Sequence, residues 1–560
     1  MSVGSAVSRF VPSAWILALL QAVLLWLLHL SVVQQSWPAT SPSLLIPSFL
    51  VALALPITLL VLWKHRAERT LWIVLAAMAG FLAAAGYGAF ANVTGPVSDA
   101  NPDEDLIAGF VLPLVLAWFI GLPMLRARLE SGRWMPDYAL LFRGSWRSYL
   151  LLAQAVLFTA VFWGLLGLWA TLFEMLGNEF FKTAFADPRF FYPATTLVFA
   201  TAIQLAEQRD SLVEAILEPL LGLLKWLAPL AGVIVIIFTI ALLPRLPELF
   251  SSGERIINSA VLVMLVAVTV LLLNAAFRDG SSPSGYGPVL AQLLRAVPPL
   301  LVVVAATALY SIIVRTNDLG LTPARYWGIV TAGFAVLYAL GYSIASLRSG
   351  PWFAGLQRVN PALAAVLFAA LLISVTPLVN PMRLSVASQV ERALVAVNPV
   401  EREGALRFLR FDAGAAGRQA LGLLAAGDYA GDPALQAAAS QVAALESRRA
   451  PTLANSAVLN ERYSVWRGTL RILPIGEVLP ASLDRVLKSE FALHATQLDP
   501  EQPSSAPVLI FIDVNADGQH EAILLGGAWR GSLRSVSDYR LFYERADGWA
   551  LAAGGVLPNE

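Results

Sequence analysis

The sequence predicts a polytopic α-helical membrane protein, of about 11 transmembrane helices, carrying a C-terminal soluble α+β domain. Three observations lead there. Of the 560 residues, 57% are hydrophobic and only 14% charged, with a mean hydropathy of +0.67, whereas charged residues make up about a quarter of an ordinary globule. Eleven apolar runs, at about 14–33, 44–63, 71–91, 106–125, 149–175, 190–206, 226–246, 257–277, 289–314, 326–346 and 362–381, approach the ~20 residues needed to cross a bilayer. The composition then breaks near Met382: residues 383–560 hold 17 Lys+Arg and 20 Asp+Glu, leaving 38 − 17 = 21 and 38 − 20 = 18 for the first 382. The expected organisation is a multi-span bundle over 1–382, a helical connector over 383–450 and a small α+β domain over 451–560.

The first run, Ala14 to Val33, is too long for the apolar region of a signal peptide and no small-x-small cleavage site follows it, so it reads as an uncleaved first span. The sixth is the weakest, because Tyr192-Pro193-Ala194-Thr195-Thr196 and Gln204 make it short and comparatively polar. Orientation follows from Lys and Arg. With all 11 spans, 15 fall in connections on the amino-terminal side, notably Lys64, Arg66, Arg69 and Arg126 to Arg147, against 6 opposite; without the sixth span the split is 13 to 8. Positive charge is retained on the cytoplasmic side. The expectation is a cytoplasmic amino terminus and an exported, periplasmic tail.

Trp15, Trp37, Trp63, Trp72, Trp226, Trp327 and Trp352 lie near span ends, where an amphipathic ring suits the headgroup region. In the third span Gly80, Ala84 and Gly88 recur every four residues, a face that would let two backbones approach closely. Pro56 and Pro113 sit inside spans and are expected to kink them; Pro298-Pro299 stands nearer a helix start. A transporter would use such breaks to line a midplane site, and packed scaffold helices carry them equally. Intramembrane polar residues are few and mostly uncharged: Gln21, His29, Gln154 and Asn274, with Glu174 near a span end. A path for charged cargo would call for more.

Between the sixth and seventh spans, Gln208 to Lys225 reads as an amphipathic interfacial helix. Leu212, Val213, Ile216, Leu217, Leu220, Leu221 and Leu224 form its apolar stripe, and Asp210, Glu214 and Glu218 its acidic line. Further on, Asp318-Leu319-Gly320-Leu321-Thr322-Pro323-Ala324-Arg325 precedes the tenth span, with Thr322 placed to cap a helix and Pro323 to start it. Arg325 could then pair with Asp318 or reach lipid phosphate. Asn360-Pro361 opens the eleventh span, and Val379-Asn380-Pro381-Met382-Arg383-Leu384-Ser385-Val386-Ala387-Ser388-Gln389 closes the membrane region. Ser385 and Gln389 begin its exit helix on one face.

Together with Phe408-Leu409-Arg410-Phe411-Asp412-Ala413-Gly414 and the early Gln35-Ser36-Trp37-Pro38-Ala39-Thr40, these segments resemble a bacterial inner-membrane family catalogued as domain of unknown function 4153. The resemblance spans essentially the whole chain. It implies a multi-span protein of the bacterial inner (cytoplasmic) membrane and supplies no reaction or catalytic residue.

In the tail, helices are expected at 386–397, 399–408, 415–425 and 433–447, then strands at 469–473, 508–512, 521–525, 540–544 and 549–552 with a helix near 481–490, making a small domain on an antiparallel sheet. One loop carries chemistry. In Asp513-Val514-Asn515-Ala516-Asp517-Gly518-Gln519-His520-Glu521, oxygen side chains at steps 1, 3 and 5, a glycine at 6 and a carboxylate at 9 suit a hard cation such as Ca²⁺. Asp513, Asn515, Asp517 and Glu521 would ligate through side chains and Gln519 through its carbonyl, in a structural role. Step 12 is Leu524 rather than a bidentate Glu, which departs from the EF-hand, and the alternative is a strand connection in which Asn, Asp and Gly supply turn geometry.

Cysteine is absent, excluding disulfides and thiolate chemistry, and the zero net charge offers no basic stripe for nucleic acid. No nucleophile motif, phosphate-cradling loop or metal-hydrolase helix appears. The sequence therefore favours a non-enzymatic envelope scaffold or sensor, whose partners are the lipid bilayer and envelope proteins reached through the tail. A small-molecule or ion transporter or channel is the alternative. A transferase acting on a lipid-linked substrate, using Glu179, Asp187, Arg189, Glu254 or Arg255 in the outward loops, comes third.

Overall fold

The computed structural model describes residues 12–90, 104–134, 137–207, 210–248, 258–278, 285–348, 353, 355–429, 432–445, 448, 456–494, 507–514, 518, 520–525, 538–545 and 548–556. It divides into two compact units, Met1–Ser388 with Gly414–Ala416, and Gln389–Ala413 with Gly417–Glu560.

The first unit is helical: α1 (Pro12–Val33), α2 (Pro42–Val61), α3 (Arg69–Phe90), α4 (Glu104–Ser131), α5 (Tyr138–Met175), α6 (Phe180–Ala186), α7 (Pro188–Glu207), α8 (Asp210–Leu242), α9 (Ser259–Phe277), α10 (Pro288–Leu319), α11 (Pro323–Leu347), α12 (Leu356–Ser374) and the start of α13 (Pro381–Val395). Among the described residues ten of these, α1 to α5 and α8 to α12, are long and apolar enough to cross a membrane. The expected sixth span, 190–206, forms all of α7, whose 20 residues rise about 30 Å. Its polar residues keep it out of that group. Thr195 and Thr196 return their hydroxyls to the carbonyls of Phe191 and Tyr192 at 2.7 and 3.0 Å, and α7 packs lengthwise against α1 and α5.

Other expectations are redrawn. The amphipathic segment expected at 208–225 is the first half of α8, continuous with the seventh span; Leu217 and Leu221 are buried, and Glu218 pairs with Arg278 at 2.8 Å. In α3 the packed face is Leu82, Ala85, Gly86 and Phe90, while Gly80, Ala84 and Gly88 are exposed. The close approach is at Gly86, where a Cβ would lie 2.3 Å from the Pro47 ring of α2. Pro56 and Pro113 lie inside α2 and α4, as expected. Thr322 caps α11 as expected, accepting from the Arg325 amide at 3.3 Å, and the Arg325 guanidinium donates to the Leu319 and Gly320 carbonyls, closing the end of α10.

Packing arranges the helices in two groups. The first joins α1–α2, α2–α3, α1–α7, α5–α7, α3–α4 and α4–α5, with α12 laid on α4 and α5; the second joins α8–α9, α8–α10, α9–α10, α9–α11 and α10–α11. They meet along α5–α8, α7–α8 and α11–α12. In lipid, apolar side chains distinguish little between neighbouring helix and lipid, so contacts concentrate where small residues allow approach. A Cβ on Gly121 of α4 would stand 2.9 Å from Phe368 of α12.

In the second unit follow α14 (Pro399–Phe411), α15 (Gly414–Ala426), α16 (Pro433–Ala443), α17 (Ser456–Thr469), β1 (Arg471–Leu473), α18 (Ala481–His494), β2 (Val508–Ile512), β3 (Glu521–Leu525), β4 (Asp538–Arg545) and β5 (Gly548–Val556). The sheet order is β1-β2-β3-β4-β5. It is mixed, because β1 runs parallel to β2 (Arg471 opposite Val508) with α18 as the crossover, while the other pairs are antiparallel. Alternation places Leu509, Leu524 and Phe542 inward, where they meet Leu483 and Leu487 of α18, all within 1% of full burial. The added helix α17 lies where no span or strand was expected, and its Tyr463 hydroxyl donates to Asp484 of α18 at 2.7 Å.

Candidate functional site: a cavity between two helix groups

A cavity of about 710 Å³ lies within the first unit, walled by α4, α5 and α12 on one side and α9 and α11 on the other. Its volume falls in the range of small-molecule sites. Among the described residues that line it there is no Asp, Glu, Lys, Arg or His. Leu116, Phe119, Phe142, Val266, Phe334 and Leu367 typify the walls. Along α11 the lining runs from Trp327 to Tyr342, about 22 Å at helical rise. The rim residues Leu116, Tyr149 and Leu271 are 46%, 36% and 47% exposed, so the cavity opens sideways rather than being sealed.

A polar cluster lies at one end, and Ser145, Tyr149 and Thr331 line the cavity elsewhere. Tyr138 opens α5, Asn274 lies three residues before the end of α9, and Asn360 stands in the second turn of α12. The Tyr138 hydroxyl donates to Asn274 Oδ1 at 2.6 Å. Asn360 Nδ2 donates to the same Oδ1 at 3.0 Å and to the Tyr138 oxygen at 3.2 Å. One acceptor on the second helix group thus takes two donors from the first, while Asn360 Oδ1 and the Tyr342 hydroxyl are buried without a hydrogen bond among the described residues. Around it Tyr138, Phe142, Leu273, Phe277, Tyr342, Phe353 and Leu356 form a buried apolar cluster. The triad joins residues up to 222 apart in sequence.

Of the polar residues singled out from sequence, Asn274 is in this site. Gln21 is not: buried at 5%, it donates from Nε2 to the Ala52 carbonyl at 3.0 Å and pins α1 to α2. His29 packs its ring 5.7 Å from that of Tyr192, and Glu174 pairs with Lys182. Gln154 lies on α5, outside the cavity lining. In the outward loops Asp187 caps its own turn through the Arg189 amide at 2.8 Å; Glu254 and Arg255 lie outside the described residues.

A separate charged knot ties the first helix group. Glu207, ending α7, receives Arg126 of α4 at 3.0 Å, Arg147 of α5 at 3.2 Å and Lys64 at 3.1 Å, and Arg126 also donates to the Val61 carbonyl that ends α2 at 3.0 Å. Arg126 is 4% exposed.

In the proposed calcium loop, Asn515, Asp517 and Gln519 lie outside the described residues. Asp513 Oδ2 accepts the Gly518 amide at 2.9 Å and Glu521 Oε2 accepts the Val514 amide at 2.8 Å. Gly518 takes φ +86°, the left-handed turn that suits glycine at step 6. Asp513 and Glu521, the first and last of the expected ligands, thus each hold a backbone amide of this segment.

Tyr138 and Asn360 were not legible as site residues. Tyr138 falls in what reads as a loop, and Asn360 reads as a helix opener. Comparison with known proteins adds no relative: no family model, no curated protein and no solved structure matches this chain.

Proposed function

We propose that the membrane bundle is a carrier that binds the hydrocarbon part of an uncharged amphipathic molecule, such as a membrane lipid, in the cavity between its two helix groups. The observation that carries this reading is the lining: long, apolar and aromatic, laterally open, and free of ionisable residues among those described. A charged cargo would need partners at that depth. A hydrocarbon chain needs only dispersion contacts and escape from a less well-packed surround. The test is photo-crosslinking of full-length protein in liposomes by a long-chain alcohol bearing a diazirine. Labelled peptides should come from α9, α11 and α12, and Ala267→Trp, which fills space from an exposed cavity-lining alanine, should cut labelling at least tenfold. Unchanged labelling in that variant would sink the reading.

The setting proposed is the bacterial inner membrane, supported by the resemblance noted above and by the 15-to-6 distribution of Lys and Arg that accompanies eleven crossings. In that arrangement α7 crosses and the tail is periplasmic. A second reading, the envelope scaffold or sensor, is supported by the tail. It is a folded module with its own core and carries Ile475 and Val478 at 94% and 79% exposure beside β1, apolar groups suited to a protein partner. We also propose a structural Ca²⁺ in the Asp513–Glu521 loop, supported by its spacing and by the two carboxylate-to-amide bonds that close it.

A further inference from the structure

We infer that the Tyr138–Asn274–Asn360 triad is a gate: a hydrogen-bonded latch that seals one end of the cavity from the aqueous phase and must part for the head of a bound amphipath to leave on that side. The inference rests on the carrier reading above and adds where the exit lies and what holds it shut.

Four observations place the gate. The triad bridges the two helix groups, whose larger helix-to-helix contacts run along α5–α8, α7–α8 and α11–α12. Both bonds across the gap, at 2.6 and 3.0 Å, end on the single atom Asn274 Oδ1, so one residue releases them all. Each member stands within five residues of a helix end, as does Tyr342, five residues before the end of α11. The latch therefore lies at the boundary of the bundle rather than at its midplane. Finally, the layer around it is buried and aromatic, with Tyr138, Phe277 and Tyr342 all under 9% exposed.

Polar bonds suit this task better than apolar packing would. Between helices in lipid, such bonds are individually weak, because separated partners can find other donors and acceptors. Two of them specify one closed register yet leave it readily reopened. An apolar seam would have no preferred register, and an ion pair in the same place would strand uncompensated charge on opening.

The natural chain contains no cysteine, so a single reporter needs no other change. Ser145 lines the cavity two turns along α5 from Tyr138. Full-length Ser145→Cys protein in liposomes is treated with a membrane-impermeant maleimide, alone and combined with Asn274→Leu, Tyr138→Phe or Gln21→Leu. The last removes an equally buried interhelical bond elsewhere. Asn274→Leu should raise the labelling rate at least tenfold and Tyr138→Phe by a smaller factor, with Gln21→Leu unchanged. Equal rates in Asn274→Leu and the parent, or an equal rise in Gln21→Leu, would overturn the gate. Diazirine-alcohol crosslinking is run on the same samples. Crosslinking intact with labelling unmoved defeats the gate alone, whereas loss of crosslinking in the parent defeats the carrier reading. Melting curves within a few degrees of the parent establish that each variant is folded, and Asn274→Gln, which retains an amide, should restore slow labelling.

Discussion

Replacing Glu207 by Gln should loosen the first helix group more than any other single charge removal. Glu207 is the only carboxylate among the described residues that Arg126, Arg147 and Lys64 share, at 3.0, 3.2 and 3.1 Å, and the three differ greatly in exposure. The Lys64 side chain is 58% exposed, and a pair of that kind is worth under ~1 kcal/mol. Arg126 is the decisive partner, because its side chain is only 5% exposed and removing one member of a buried pair costs about 3–5 kcal/mol. At ~2 °C per kcal/mol for a large unit, the expected fall in melting temperature is about 6–10 °C. The assay is thermal unfolding in detergent followed by size-exclusion chromatography. Lys64→Gln should move the midpoint by no more than ~2 °C. The double variant Glu207→Leu with Arg126→Leu should recover most of what Glu207→Leu alone loses, since two apolar groups leave no stranded charge. A Glu207→Gln protein that melts with the wild type, or a double variant no better than Glu207→Leu, would refute the reasoning.

Further tests follow from other contacts. Gly86→Leu should destabilise the α2–α3 pair by about 1–3 kcal/mol, because even a Cβ there meets Pro47 at 2.3 Å, whereas Gly80→Leu should be near neutral; the same melting assay distinguishes them. Phe542→Ala, at a fully buried position of the sheet core, should cost about 3–5 kcal/mol and be seen as loss of the second unit's cooperative unfolding with the bundle's transition kept. Calcium at 5 mM, against a dissociation constant of ~0.1–1 mM, should stabilise the second unit by about 1–2 kcal/mol. Magnesium should not substitute, and Asp513→Ala should abolish the shift; identical melting with calcium and with chelator would end the proposal.

Much of the architecture was readable from apolar runs, since a bilayer demands length and composition from each helix whatever its neighbours. Strands β2 and β3 were equally plain, because two short apolar runs flank an Asn-, Asp- and Gly-bearing loop. What escaped depended on partners. Nothing local distinguishes Gly80 from Gly86; the difference is Pro47, some forty residues earlier. The continuity of α8 from its acidic start into the seventh span was hidden because Pro219, Gly222 and Pro229 punctuate the junction, and the helix nevertheless runs through them. The triad was hidden by dependence on partners at longer range. A tyrosine in an apparent loop, an asparagine near one helix end and another beside a proline become a site only once three helices lie side by side.

Helix α7 has the length to span lipid and threonines that reduce what it gains by doing so. Its hydroxyls are quieted by its own carbonyls and its flanks by α1 and α5, which makes entry into the bilayer a matter of assembly rather than of partitioning. Both neighbours precede it in the chain, so they are already made when this segment is synthesised. Under the proposed eleven-crossing arrangement, the side of the membrane that receives the carboxyl-terminal module turns on whether α7 crosses.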